Sequence, residues 1–351
     1  ILAYFSSAAP CFAAFSNYST ILIGERAGGM GGAFTALTGD ASAASYYNPA
    51  ALARMDGASL TASANVYYKG DIVYGNTENF EVSQQRINRG YFRSIPVSSG
   101  SVYNFGPFAI GINIIVPDYE FFAGDVAADK NTTSYLSMVD ESLWIGGSMA
   151  LNIRKDMSLG WTIYYTARNL VRTTTDQTVD PSGNLSEITT EEKTLTNNSI
   201  IYILGWMYEI DERISVGASC RFPSLEVAGN GDYFRSQTNV SPLNTVTTNY
   251  KDLRTETKIP PRINLGVAST DEKRDTISLD VTYHGEVEYE DMEHEQASTH
   301  VHHRPTWNAA IGYETPINPW LKWRAGIFTN LSSHAKIDLS LKSRREGDHI
   351  D

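Results

Sequence analysis

The sequence predicts an all-β fold, an antiparallel transmembrane β-barrel, and three observations lead to this prediction. Apolar and polar residues alternate over about eight to twelve positions again and again from about residue 58 onward, as in strands with two different faces. Tight turns alternate with long polar connections along the chain. No stretch reaches the roughly 18 consecutive apolar residues that a membrane-spanning helix needs, so the wall is predicted to consist of strands.

The composition is compatible with this fold. The chain has 351 residues, enough for one large barrel or two ordinary globular domains. Its mean hydropathy of −0.27 resembles that of soluble proteins, but a barrel wall alternates lipid-facing with lumen-facing residues and keeps a similar average. The net charge of −12 argues against nucleic acid as a partner.

The alternation is clearest in the run 276–283, where every second residue from Ile277 onward is apolar and the residues between are Ser, Asp or Thr. The runs 157–166, 214–222 and 321–330 repeat the pattern. In each run the second face is small or polar, as expected of a wall whose inside is wet or contacts a plug. The single cysteine of the wall, Cys220, falls on the predicted lipid face.

About eleven strands are predicted, with short turns at one end of the wall and long polar segments at the other. This asymmetry is typical of bacterial outer-membrane barrels. The strands lie near 58–68, 95–105, 107–117, 142–153, 157–171, 198–209, 213–226, 260–270, 275–288, 305–314 and 320–331. The short turns are expected at 105–107, 154–156, 211–212, 271–273 and 315–319, and the long loops at 118–141, 173–197, 227–259 and 288–304.

The two ends of the sequence predict a truncated chain. Eleven strands is an odd number, whereas bacterial single-chain barrels have an even one, and an open wall would expose unpaired backbone to lipid. Residues 57–351 are therefore expected to be a β-barrel wall that lacks its C-terminal part. Residues 1–14 are expected to be the remainder of a signal peptide, since they are apolar and rich in small residues. The alternative is the apolar terminus of a soluble protein.

Residues 15–56 do not resemble wall. They are rich in Gly and Ala and too small-sided to form a core alone, so a partly helical plug, or hatch, within the barrel lumen is expected. Asp40 is predicted to be the N-cap of a short helix. Asn48 precedes Pro49, which favours a turn into the first strand.

The segments 24–26, 30–33, 40–44 and 48–50 resemble the N-terminal hatch of the FadL/TodX family of outer-membrane transporters, and 259–266 resembles strand openings of that family. The match covers about 33 contiguous residues. The residues assigned to the hatch on this basis are Gly24, Arg26, Met30, Gly31, Gly32, Phe34, Asp40, Asn48, Pro49 and Ala50.

The resemblance implies a 14-stranded barrel in the bacterial outer membrane, plugged by its N-terminus, of which about eleven strands are present. It also implies passive uptake of hydrophobic small molecules, namely long-chain fatty acids or hydrocarbons, and a non-enzymatic role. PorV-like barrels that handle secreted proteins share part of the motif and are the alternative. The expected partners are a hydrophobic ligand and outer-membrane lipid, with the protein monomeric.

Candidate ligand-binding residues lie in the predicted loop 118–141 and are Phe121, Phe122, Leu136 and Met138. The alternative is that they only pack loop against loop. Phe34 and Met30 of the hatch are expected to meet the ligand later. The histidines of 294–303 have the residue types of a metal site but no standard spacing, so a solvated acidic loop is favoured. No metal, cofactor or catalytic residue is predicted, and the glycines of 28–32 lack the ending of a phosphate-binding loop.

Overall fold

The computed structural model describes residues 17–19, 21–69, 72–74, 85–87, 91–127, 131–333 and 349–350. The expected signal remnant 1–14 lies outside these residues, as does most of the segment after 333. Within the described part there are three short helices, α1 (Glu25–Gly29), α2 (Ala41–Tyr47) and the 3-10 helix η1 (Pro49–Arg54). None of these has the length and apolar character needed to cross a membrane.

Strands make up most of the described chain. They are β1 (Ala58–Lys69), β2 (Ile72–Tyr74), β3 (Gln85–Ile87), β4 (Tyr91–Asn104), β5 (Phe108–Ala127), β6 (Thr132–Arg154), β7 (Met157–Val179), β8 (Leu185–Glu209), β9 (Ile214–Arg221), β10 (Leu225–Val240), β11 (Leu243–Leu253), β12 (Arg262–Thr270), β13 (Thr276–His284), β14 (Val287–Glu290), β15 (His300–His303), β16 (Thr306–Asn318), β17 (Leu321–Asn330) and β18 (His349–Ile350).

The main sheet is antiparallel and follows the chain in the order β1-β4-β5-β6-β7-β8-β9-β12-β13-β16-β17-β18. Each of the eleven predicted strands overlaps a strand of this sheet, which confirms the predicted fold. In the described residues no pairing joins the two ends of the sheet. Helix α1 nevertheless lies against both β1 and β17, so the sheet curves round the N-terminal segment as a barrel wall does.

The two faces of the wall have opposite character. On β13, Ile277 and Leu279 are exposed while Ser278 between them is fully buried. The same pattern holds on β7, where Trp161 is exposed and Thr162 is buried. An apolar exterior around a polar interior is the reverse of a soluble protein and matches a wall surrounded by lipid.

The polar segments predicted as long loops are mostly strands, so that part of the prediction is wrong. Strands β6, β7 and β8 contain 23, 23 and 25 residues. A tilted barrel strand needs about 9–11 residues to cross a bilayer, so these strands continue well beyond it. Residues 118–127 and 132–141 belong to β5 and β6, most of 173–197 to β7 and β8, and most of 227–259 to β10 and β11.

The reason for this difference is chemical. The extensions are rich in Thr, as in 173–175 and 189–190, and β-branched residues fit a pleated sheet well. Beyond the bilayer both faces of a strand can be polar, so the alternation that marks the wall disappears from the sequence. Strands that are already paired within the wall therefore keep the same pairing in their extensions beyond the bilayer. The short turns lie at the opposite end, as predicted, except that the last one is at 319–320 instead of 315–319 because β16 continues to Asn318.

The fourth predicted loop, 288–304, folds back over the mouth of the barrel. Strands β14 and β15 pair as a small hairpin, and Tyr289 and Met292 in this segment are buried. Thr255, just after β11, forms an isolated β-bridge with Met292. The mouth at the long-strand end is therefore covered by two inward-folded segments, 254–261 and 285–304.

Candidate functional site

The N-terminal segment, residues 21–56, lies directly on the inner face of the wall at positions where the wall strands have glycine. We call these seven residues the glycine belt. A Cβ atom on any of them would approach a main-chain or side-chain atom of the N-terminal segment closer than Cβ atoms normally come. Glycine thus allows one backbone to pack against another. The glycine belt consists of Gly100 (β4), Gly160 (β7), Gly205 (β8), Gly217 (β9), Gly266 (β12), Gly312 (β16) and Gly326 (β17).

Asp40 organises the fold of the segment itself. One of its carboxylate oxygens accepts hydrogen bonds from the Ala43 amide (3.1 Å) and the Ser42 hydroxyl (2.8 Å), which makes it the N-cap of α2 as predicted. The other oxygen accepts from the Arg26 amide at 3.2 Å. Gly24 has a φ of 91° beside this carboxylate, where a side chain would be both strained and obstructed.

Arg26 fastens the segment to the wall. Its guanidinium donates two hydrogen bonds to the carboxylate of Glu314 on β16, at 3.0 and 2.9 Å, and a third to the Thr38 carbonyl. The Glu314 side chain is almost fully buried and also pairs with Lys322 and Arg324 of β17. This buried carboxylate therefore joins the N-terminal segment to two wall strands.

Asn48 makes a second attachment. Its amide nitrogen donates to the carbonyls of Thr35 (2.7 Å) and Trp206 of β8 (2.9 Å), and its amide oxygen accepts from the Ala50 amide (3.2 Å). Pro49 is the first residue of η1, a favourable position because its missing N–H has no helical partner there. The turn does not lead straight into β1, because the six residues of η1 come first.

Met30 and Phe34 are fully buried between the segment and the wall. Met30 packs against Gly312, and the Phe34 and Thr35 amides donate to Asp280 of β13 at 2.9 and 2.8 Å. Gly31 and Gly32 have positive φ values of 65° and 85°, which only glycine adopts without strain. Ala50 is also fully buried and its carbonyl accepts from the Ser158 hydroxyl.

Toward the long-strand end, a separate group of apolar side chains lies inside the barrel mouth. We call it the mouth cluster. Two of the four predicted ligand residues, Leu136 and Met138, belong to it and are 4% and 3% exposed. Its members are Leu136 and Met138 (β6), Leu170 (β7), Leu195 (β8), Tyr233 (β10), Met292 and Ala297, with Tyr250 and Leu253 packed against them.

The other two predicted ligand residues differ. Phe121 of β5 pairs with Val139, and because neighbouring strand residues point to opposite faces, it does not share a face with Met138. The backbone of Phe122 pairs with Met138, and its side chain lies outside the described residues. The structure thus brings together Leu136 and Met138 and separates Phe121 from them.

A salt bridge with hydrogen-bonded neighbours lies between the wall and the segment that follows β11. Arg168 of β7 donates to both oxygens of Asp140 on β6, at 2.9 and 2.6 Å, and to the Thr257 hydroxyl at 3.1 Å. The Thr257 hydroxyl in turn donates to the amide oxygen of Asn197 at 3.0 Å. These bonds hold segment 254–261 against the inner face of the wall.

Lys193 of β8 holds the second mouth segment. Its ammonium group donates to Asp291 (2.7 Å), to the Ala297 carbonyl (2.7 Å) and to the Thr299 hydroxyl (2.9 Å). The neighbouring residues on the outward face of β8 are Glu192 and Thr194, so the site is beyond the apolar band of the wall. Burial lowers the pKa of Lys193 below its usual value, and the attraction of Asp291 offsets part of that effect. Sequence reasoning missed this lysine, although it occupies an inward position of its strand.

Two of the histidines of the β14–β15 hairpin pair with carboxylates. His300 contacts Glu288 (3.1 Å) and Glu290 (2.8 Å), and His302 contacts Glu286 (2.7 Å). Hydrogen bonds from Ser298 and His300 lower the pKa of Glu290. Across the part of the chain that the structure describes, no three His, Cys, Asp or Glu side chains are arranged to hold a metal ion.

Between the N-terminal segment and strands β12, β13, β16 and β17 there is a cavity of about 40 Å³. A cavity of roughly 150 Å³ accommodates benzene, so a ligand of that size needs more room here than this conformation provides. The residues that line the cavity include the polar Arg262 and His284 and the apolar Leu22 and Phe328.

An antiparallel wall with an apolar exterior, a polar interior and an N-terminal segment packed inside it defines the class of outer-membrane β-barrels. Residues 13–339 match the family described as Outer membrane protein transport protein (OMPP1/FadL/TodX). The chain belongs to this family of outer-membrane transporters of hydrophobic compounds, as its N-terminal motif suggested. No curated protein sequence matches it significantly.

Solved structures of similar fold include a FadL homologue and two toluene transporters. A FadL homologue of Pseudomonas aeruginosa is 15% identical with a TM-score of 0.62, covering 90% of this chain and 82% of that one. The toluene transporter TodX of Pseudomonas putida is 13% identical with a TM-score of 0.62, covering 86% and 82%. The toluene transporter TbuX of Ralstonia pickettii is 16% identical with a TM-score of 0.57, covering 88% and 90%. At these identities the likeness concerns the fold.

Proposed function

We propose that this protein is a passive channel for apolar small molecules, either long-chain fatty acids or hydrocarbons, and that the mouth cluster is where they are captured. The observation that carries the proposal is a buried apolar cluster inside a barrel mouth whose surroundings are polar. Transfer of an apolar solute from water to this cluster is favourable by about 25 cal/mol of free energy for each Å² of apolar surface that it buries. Several structural neighbours are named as toluene transporters or monoaromatic hydrocarbon channels, which supports a ligand of this class.

We propose further that residues 15–56 act as a hatch. The 40 Å³ cavity beside the N-terminal segment would have to widen for a ligand to pass, and the segment is the element that lines it from inside. Its attachments at Glu314, Asp280 and Trp206 are hydrogen bonds and ion pairs that a movement of the segment would have to break. In this proposal the ligand passes between hatch and wall, with no energy source inside the barrel. One chain supplies the whole path, so the monomer is the expected working unit.

The proposal is tested by measuring the uptake of labelled hydrophobic compounds in a Gram-negative host strain that lacks other transporters for them. Cells that express the full-length protein should take up labelled toluene or labelled laurate several-fold faster than cells with an empty vector. Replacing Met138 with Gln puts an amide into the mouth cluster and should remove most of this gain. The matched control is Ser137→Gln, the neighbouring residue on the other face, which should leave uptake unchanged.

Two outcomes would contradict the proposal. Equal uptake with and without the wild-type protein would exclude transport of these compounds. Wild-type rates in the Met138→Gln cells, at equal protein level, would exclude the mouth cluster as the capture site.

A further inference from the structure

Buried polar side chains separate the mouth cluster from the apolar core around the N-terminal segment along three neighbouring strands. On each of β6, β7 and β8 the inward residues change from apolar to polar and back to apolar. The apolar residues toward the long-strand end belong to the mouth cluster. Those on the other side, Trp144, Tyr164 and Ile201, belong to the core that contains the N-terminal segment. Each strand has two polar inward residues between them, and we call these six the polar layer. They are Asp140 and Ser142 (β6), Arg168 and Thr166 (β7), and Asn197 and Ser199 (β8).

The salt bridge between Asp140 and Arg168 is the centre of the polar layer. Its two side chains are only 0% and 11% exposed, and the guanidinium donates to both carboxylate oxygens, at 2.9 and 2.6 Å. Hydrogen bonds between charged groups are roughly twice as strong as those between neutral groups. Exclusion of water strengthens their attraction further. A hydrocarbon offers neither donor nor acceptor, so it cannot replace these bonds when it passes.

Both inward-folded segments of the mouth are attached to the polar layer. Arg168 donates to the hydroxyl of Thr257, in the segment that follows β11, at 3.1 Å. Tyr289, in the segment that carries the β14–β15 hairpin, lies close enough to the same guanidinium to interact with it. Asn197 donates to the Thr255 hydroxyl and accepts from the Thr257 hydroxyl, both at 3.0 Å. The bonds of the polar layer therefore continue from the wall into the two segments that cover the mouth.

A purely apolar ligand that moves along these strands meets an energetic barrier at the polar layer. It is stabilised in the mouth cluster and again beside the N-terminal segment, because both surroundings are apolar. Between the two it has to enter among hydrogen-bonded groups and part them. Polar groups that lose their partners away from water are unfavourable. The slow step of passage is therefore expected at the polar layer, after capture.

We propose that the polar layer, through the pair Asp140 and Arg168, limits the rate at which apolar ligands pass from the mouth cluster toward the N-terminal segment. Neither residue belongs to the mouth cluster, so the affinity of capture does not depend on them. This inference rests on the proposed function and adds to it the residues that determine the maximal rate of transport.

The experiment replaces the pair by apolar residues, Asp140→Leu together with Arg168→Met, in the full-length protein. Replacing a whole buried ion pair in this way is often neutral for stability, whereas removing one partner is strongly destabilising, so both residues are changed together. Uptake is measured over a range of labelled toluene concentrations in the host strain described above. The maximal rate, at equal protein level, should rise about fivefold, which corresponds to a barrier lower by about 1 kcal/mol. The half-saturating concentration should stay unchanged.

The matched control is Arg154→Met together with Asp156→Leu, which makes the same changes in an exposed pair at the other end of β6 and β7. This variant should have the wild-type maximal rate and half-saturating concentration. A second variant, Thr257→Val, keeps the salt bridge and removes the hydroxyl that links Arg168 to Asn197. It should raise the maximal rate by a smaller factor. Folding of every variant is checked by heat-dependent mobility on gels.

An unchanged or lower maximal rate in the folded double variant would overturn the inference, and so would a change confined to the half-saturating concentration. If the double variant does not fold, an unchanged maximal rate in the Thr257→Val variant would overturn it. Absence of toluene uptake by the wild-type protein would instead count against the proposed function.

Discussion

The glycine belt makes a quantitative prediction, which Gly160→Ala tests. A Cβ atom at this position of β7 would lie 2.6 Å from the Ala50 amide nitrogen, which is 0.8 Å short of the 3.4 Å at which ordinary contact begins. The obstructing atoms belong to the backbone of the N-terminal segment, so no side-chain rotation relieves the overlap. Overpacking of this kind costs about 1–3 kcal/mol. Gly160 has no positive φ, so the cost comes from packing alone.

Gly147→Ala is the control for this substitution. Gly147 lies on the neighbouring strand β6 with no atom within 4 Å of the added Cβ. It should be neutral or stabilising by about 0.4–1 kcal/mol, because alanine has fewer unfolded conformations to lose. Urea unfolding in lipid vesicles measures both variants, and protease digestion reports whether the N-terminal segment has been displaced. Equal stability and equal protection in the two variants would refute the packing of this segment on the glycine belt.

Two further substitutions test the attachments of the N-terminal segment. Glu314→Gln leaves Arg26, Lys322 and Arg324 without their buried carboxylate and should lower the unfolding free energy by about 3 kcal/mol, whereas Glu272→Gln, in an exposed pair with Arg213, should change little. Urea titration measures both, and similar midpoints would contradict the anchoring role of Glu314. Asn48→Ala leaves two buried carbonyls without their donor and should cost about 2 kcal/mol and loosen the segment toward protease, while Asn184→Ala in an exposed turn should not. Wild-type protease resistance of the Asn48 variant would show that this attachment is dispensable.

Much of the fold follows from local sequence. Strands that face lipid on one side and a polar interior on the other must alternate, so the eleven predicted strands could be located from period-2 patterns and turn residues. Asp40 could also be assigned as an N-cap and Asn48 as part of a turn, since both assignments depend on residue types within a few positions of each other. The short turns are equally local. These features can be predicted without knowing which strands pair with each other.

The strand extensions and the position of Phe121 could not be derived in this way. Where both faces of a strand are polar, the alternation vanishes and a strand looks like a loop. The face that Phe121 occupies is set by a register shift between Ile115 and Asp118, where β5 changes its pairing with β6. Such a bulge moves every later residue of the strand to the other face. An apolar residue in the right segment is thus not enough to assign it to the ligand path.

The row formed by Arg221, Arg262 and His284 and the glycine belt cannot be recognised in the sequence, and the reason is the same for both. Arg221, Arg262 and His284 lie on three strands, and only the register of β9, β12 and β13 places them opposite one another. In the sequence each is a single basic residue at the end of a strand, a position where a charged side chain normally reaches water. The glycines are likewise ordinary strand residues one by one, and become a docking surface only when neighbouring strands place Gly160 beside Gly205 and Gly312 beside Gly326. Strand register decides both features. A substitution that shifted β12 by one residue would turn Arg262 toward lipid and separate it from Arg221. The same shift would move Gly266 out of the glycine belt. The packing of the N-terminal segment on the glycine belt is therefore expected to fail when register is lost, even where no glycine is replaced.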